Sequence, residues 1–174
     1  MLSNVKYSIS QKIVIVFVSA LALQTFHMLE HLVQLHQHAI LGWSIKDSSG
    51  IVGALNLEEI HWVYNLAYFV LLGIVFKDCS FFRLQDRMDG QKVAVLLFGI
   101  AFFLQGYHLV EHTVRMIQHF ITGCSPCVGV LGVYVDGVYL HFILNFLVFT
   151  YPFGAFFVFG FHKKIVRLCT KISS

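Results

Sequence analysis

The sequence predicts an all-α integral membrane protein whose four transmembrane helices form two parallel-repeat helical hairpins. Three observations carry this expectation. Only 12% of the 174 residues are charged while 57% are hydrophobic, against about a quarter charged in soluble domains, and the mean hydropathy is +0.75. The charges gather around Lys6 and Lys12, between Lys77 and Lys92, and after Phe161. The apolar stretches between them are continuous and reach the roughly 20 residues a helix needs to cross hydrocarbon.

The first span is expected at about Ile13–Leu41. Its opening "IVIVFV" follows two lysines and precedes Ala20-x-Ala22, a pattern shared with cleaved leaders. The internal run "VAVLLFGIAFFLQ" matches it, and an internal run cannot be a leader, so both read as spans. The remaining spans are expected at about Glu59–Phe76, Lys92–Thr122 and Tyr134–Phe161. A barrel is excluded because the runs do not alternate, and lipid requires each backbone to satisfy itself. The whole chain, 1–174, reads as one membrane domain.

Lysine and arginine set the orientation. They occupy the start (Lys6, Lys12), the central loop at about 77–92 (Lys77, Arg83, Arg87, Lys92) and the tail (Lys163, Lys164, Arg167, Lys171), while the other two loops hold little beyond Lys46. Both termini and the central loop are therefore expected in the cytoplasm of a multi-pass cell-membrane protein. The net charge of +3 follows from this topology and makes no case for nucleic acid. In the second outer loop Cys124 and Cys127 form "CSPC". A disulfide is expected there in preference to a metal pair, since Cys79 and Cys169 belong to the opposite side.

The chain also reads as duplicated, with repeats at about 11–77 and 92–161. "QTFHMLEHLVQLHQH" from Gln24 returns as "QGYHLVEHTVRMIQH" from Gln105, and "HWVYN" from His61 returns as "HFILN" from His141. Each half is a hairpin carrying H-x-x-E-H on its first helix and H-x-x-x-N on its second. Two-helix repeats keep one orientation, which places the pseudo-twofold axis along the membrane normal. Counting at 1.5 Å per residue, Ile13 to His27 and Phe76 back to His61 each span roughly 21–22 Å. All four motifs then meet at one level in the outer half of the bilayer.

Residues three and four apart share a helix face, so His27, Glu30 and His31 project together, as do His108, Glu111 and His112, with His61 and His141 from the neighbouring helices. Ionisable groups at this depth need partners inside the bundle. Neutral imidazole and carboxylate form the usual ligand set for transition metals. The expected site is binuclear, holding two ions of zinc, copper or iron, with these eight residues as ligands. Glu30 and Glu111 are expected to bridge the ions or carry protons in catalysis. Gln24, Asn65, Gln105 and Asn145 are expected to orient the imidazoles. A lone histidine in a membrane helix commonly just bonds a neighbouring helix; the matched repetition sets this cluster apart. His38 and His119 fall nearer the outer interface, lining an entrance or idle. Arg115 stands where Gln34 stands in the first half and breaks the symmetry; it is open to a salt bridge with a site carboxylate, an anionic ligand or snorkelling.

The leading expectation is redox or oxygen-dependent chemistry on a small or lipid-soluble molecule. A b-type haem electron carrier is the first alternative, although two glutamates beside a porphyrin argue against it. A non-catalytic subunit of a larger membrane complex, metal transport and zinc hydrolysis follow. Transport is weakened by the nearly apolar inner halves. The pattern H-x-x-E-H is similar to that of the inverted zinc peptidases, but only over five residues per copy, and the distant acidic ligand of those enzymes has no glutamate after Glu111 to supply it, although Asp136 exists.

Overall fold

The computed structural model describes residues 11–53, 57–78 and 89–172. Its helices are α1 (Gln11–Ala39), α2 (Glu58–Asp78), α3 (Asp89–Thr122), α4 (Gly137–Val158) and α5 (Phe161–Ile172), with a 3-10 turn at Leu131–Val133. Four of them, over Gln11–Ala39, Glu58–Lys77, Gly90–Thr122 and Gly137–Val158, are long and apolar enough to cross a membrane. The expected loop at about 77–92, with Cys79, Arg83 and Arg87, lies largely outside the described residues.

The fourth span is shorter than its hydropathy suggests. Asp136 caps it by accepting from Val138 N at 2.9 Å, so the helix begins after Tyr134. At its other end Gly160 adopts φ +72°, a left-handed turn that stops α4 and lets α5 set off separately. Glycines at φ +69° (Gly42) and +71° (Gly123) likewise follow α1 and α3.

α1 packs on α2 and α4, and α3 packs on the same two, so the four long helices form a ring in chain order. One stripe of each faces inward. In α1 it runs Ile13, Val14, Phe17, Ala20, Leu21, Gln24, His27, Glu30, His31, Gln34, the three-and-four spacing of a buried helix face. The stripe is apolar up to Leu21 and polar from Gln24 onward. The same change falls between Tyr68 and Asn65 in α2, Ala101 and Gln105 in α3, and Val148 and Asn145 in α4. The bundle is therefore layered: an apolar plug near α5, then four amides, then histidines, then the connecting residues 40–53 and 123–136.

Phe17 centres the plug, meeting Phe98, Phe156 and Phe161 edge to face at 5.6, 5.8 and 4.9 Å between centroids. Each such pair contributes about 0.5–1.5 kcal/mol beyond burial. Pro152 lies inside α4 and has no N–H to offer the carbonyl one turn earlier. That carbonyl belongs to Val148 and is taken by the buried Tyr68 hydroxyl at 2.9 Å. Tyr68→Phe leaves it unanswered, and a loss of about 1 kcal/mol is expected. A lower thermal midpoint in detergent checks this; a midpoint equal to wild type would show another donor at Val148.

Candidate metal centre

Two groups of three histidines could each hold a metal ion: His27, His31 and His61 from α1 and α2, and His108, His112 and His141 from α3 and α4. Within each group the ligand nitrogens lie within 4.8 Å of one another. All six residues are buried, the most exposed being His61 at 7%. On both long helices the paired imidazoles aim their Nε2 atoms together, 3.1 Å apart for His27 and His31 and 3.1 Å for His108 and His112. Two nitrogens bound to one tetrahedral ion at about 2.0–2.1 Å stand roughly 3.3 Å apart. The helical i, i+4 step has thus brought the ring nitrogens close to ligand spacing. The two groups also touch. His61 stacks on His112 at 5.1 Å, and His31 on His141 at 6.0 Å.

Backbone and amide acceptors fix which nitrogen of a ring is free. His31 Nδ1 donates to Gln34 Oε1 at 2.8 Å, and His141 Nδ1 donates to the Gly137 carbonyl at 2.6 Å. Donation through Nδ1 leaves the lone pair on Nε2, which in His31 meets His27 Nε2 and in His141 accepts from Arg115 Nη1.

The structure sends Glu30 and Glu111 away from the ligand set proposed for them. The Glu30 carboxylate accepts from Ile51 N at 2.6 Å and Val52 N at 2.9 Å. Glu111 accepts from Val130 N at 2.9 Å and Leu131 N at 3.2 Å, and from the Tyr107 hydroxyl at 3.1 Å. On a helix the glutamate leaves one position before its neighbouring histidine, far enough round to face the connecting segment. Gly50 (φ +79°) and Gly129 (φ +74°) admit this approach, because a Cβ at either would collide with the glutamate carboxylate. Gln37 and Gln118 close the same turns, accepting from Gly50 N at 2.9 Å and Gly129 N at 2.8 Å. The acids are clamps for the segments that cover the histidines.

The four amides also act differently from expectation. Gln24 donates to Asn145 Oδ1 at 2.8 Å, and Gln105 donates to Asn65 Oδ1 at 2.9 Å. Asn65 and Asn145 in turn donate to the His61 and His141 carbonyls, each at 2.9 Å. They tie α1 to α4 and α3 to α2 and hold the backbones that carry the histidines. His38 and His119 have occupations as well: their Nδ1 atoms donate to the Trp43 carbonyl at 2.8 Å and the Cys124 carbonyl at 2.6 Å, and His38 Nε2 meets Asp136 at 3.1 Å. Cys124 and Cys127 are joined by a disulfide.

One acid of the site escaped the sequence reading. Glu58 is buried at 4% exposure, with Oε1 3.2 Å from Arg115 Nη2 and 3.1 Å from Cys127 N. Its Oε2 lies 4.0 Å from His112 Nδ1. Arg115 Nη1 reaches His141 Nε2 at 2.9 Å. Of the roles open to Arg115, the salt bridge is present, and its acid is Glu58. The signal was Glu58-x-x-His61, an acid and a histidine at i, i+3. A second missed signal was Gly50-x-x-Gly53 answered by Gly129-x-x-Gly132. The pair Glu58–Arg115 distinguishes the halves, whose corresponding residues are Val138 and Gln34.

His31, His61, His112 and His141 line a cavity of about 40 Å³, together with Glu58, Arg115 and the segments above. A larger cavity of about 370 Å³, lined by Ser44, Lys46, Cys127 and Gly132 among others, shares Ile45, Arg115, Pro126 and Gly137 with it. No protein-family model, curated protein or solved structure matches this chain.

Replacing Glu111 by Gln keeps one acceptor oxygen but sets an amide NH2 against either the Val130 N–H or the Leu131 N–H, which different carboxylate oxygens now accept. A loss of about 2 kcal/mol is expected, with faster proteolysis across 123–136 and unchanged metal content. Elemental analysis of that variant checks it. Metal loss as deep as in a histidine variant would return Glu111 to the ligand set.

Proposed function

We propose that this chain is a multi-pass membrane metalloprotein that holds two transition-metal ions side by side, one on each histidine group, and works on a small molecule reaching them from the outer face. The observation that carries the reading is the pair of buried three-histidine groups in contact through stacked rings. Burying six imidazoles among apolar helices has a simple physical justification if each set closes on a cation. Three protein nitrogens per ion leave a tetrahedral position open, the arrangement of reactive rather than structural metal sites.

An all-imidazole set suits zinc, copper or histidine-rich iron and disfavours magnesium or calcium. Redox or oxygen-dependent chemistry remains our preferred activity, and zinc hydrolysis the alternative, with metal identity dividing them. The cavity of about 40 Å³ favours a reactant of a few atoms and leaves a porphyrin no room, which favours bare ions over haem. The apolar plug favours a site that exchanges with one side only. Its one polar side chain among the described core residues, Tyr68, is already committed to Val148, so ions have no stepping stones toward α5. This weighs against metal transport.

The recurring bonds of Glu30 and Glu111, Gln37 and Gln118, and the two Gln–Asn pairs support the duplicated, parallel-hairpin arrangement. The lysines and arginines at the α5 end support cytoplasmic termini. The lipid bilayer is the expected surrounding of the exposed apolar faces, and a larger membrane complex is an open setting for the chain.

Purified gently, the protein is expected to carry about two ions per chain, one for each group. His31→Ala and His112→Ala should each fall to about one, in a folded protein with unchanged helical circular dichroism. Elemental analysis with an optical spectrum reads this. A chain without metal, or variants that keep the full complement, would remove the proposal.

A further inference from the structure

Two metal ions on this ligand set would bring charge that the surrounding protein does not balance. The six imidazoles bind as neutral groups. Glu30 and Glu111 are each held by a pair of backbone N–H groups, and Glu58 is matched by Arg115 at 3.2 Å. Cations left so in a low-dielectric bundle are costly, and the charge of the ion governs what gathers beside it.

Arg115 supplies the second observation. It is 9% exposed, and its Nε has no hydrogen-bond partner among the described residues. It lines both the cavity between the histidine groups and the wider one beside it. Glu58 fixes Nη2, while Nη1 donates to the His141 Nε2 lone pair at 2.9 Å. An ion at the second group takes that lone pair for itself. Arg115 is then left with N–H donors on a held, planar fork, the geometry that binds anions best.

Resting on the two-metal reading above, we infer that the cavity between the histidine groups is a small-anion site, lying against both ions, in which Arg115 positions the anion. Its size sets the class. About 40 Å³ is room for a few water-sized atoms, which favours hydroxide with a water, or a linear or bent triatomic anion, over a phosphate or an aromatic carboxylate. Lys46 in the outer cavity places a further cation along the approach.

The test uses the full chain in detergent, loaded with cobalt(II) and titrated with azide, while cobalt is counted separately. A saturable shift of the cobalt visible bands is expected, unaffected by benzoate. Arg115→Gln should keep its cobalt and weaken azide by roughly tenfold or more; if that variant does not retain cobalt, Arg115→Lys, which keeps the charge without the fork, carries the same comparison. Azide affinity that falls with rising pH identifies hydroxide as the resident anion, and a flat profile identifies a dissolved one; both support the site. Cobalt-loaded protein blind to azide, arginine variants that bind it as wild type does, or benzoate competing equally would overturn the anion site. A chain that takes up no cobalt would overturn the metal reading beneath it.

Discussion

Hydrocarbon offers nothing to a polar side chain, so most polar groups in this bundle are answered by another part of the protein, and those that are not, such as Arg115 Nε, stand at the histidine site. The layers follow from that constraint. Where the inward stripes are apolar, aromatic rings interlock around Phe17. Where they turn polar, glutamines meet asparagines across helix boundaries before any histidine appears. The amide layer separates a region held by packing from one held by directed bonds. It also joins each helix of one hairpin to a helix of the other, so the histidine groups cannot drift apart without breaking buried hydrogen bonds.

The two halves use the same devices and then diverge at a few positions. Each glutamate grips the connecting segment at a left-handed glycine, and Gln37 and Gln118 secure the same segments at those glycines. Only the first half has Glu58, and only the second has Arg115. These two find one another across the boundary between α2 and α3. Their bond fastens the site at the point where Cys127 of the disulfide-closed segment also attaches.

Much of this is legible in the sequence. Continuous apolar runs fixed the number of long helices, since a bilayer permits few alternatives. The i, i+4 spacing of His27 and His31, and of His108 and His112, placed their rings on one face, and the match of His61 with His141 pointed to the partners. The glutamates misled because spacing gives a direction from the helix axis and not the object met there. Glu30 and Glu111 find backbone N–H groups, whose approach depends on Gly50 and Gly129 far along the chain. The amides share the histidines' faces one turn lower, where spacing alone does not reveal that they bond each other across helices. Glu58 was hidden because it has no counterpart in the second half, so a reading led by symmetry passed over it. The end of α4 was hidden because the apolar character of Phe159 and Phe161 outlasts the helix, which Gly160 halts by backbone conformation alone.

The plug beneath the amides makes the polar chamber a cul-de-sac. On the other side its lining continues through Ile45, Arg115, Pro126 and Gly137, which it shares with the wider cavity, so the chamber opens where the plug does not reach.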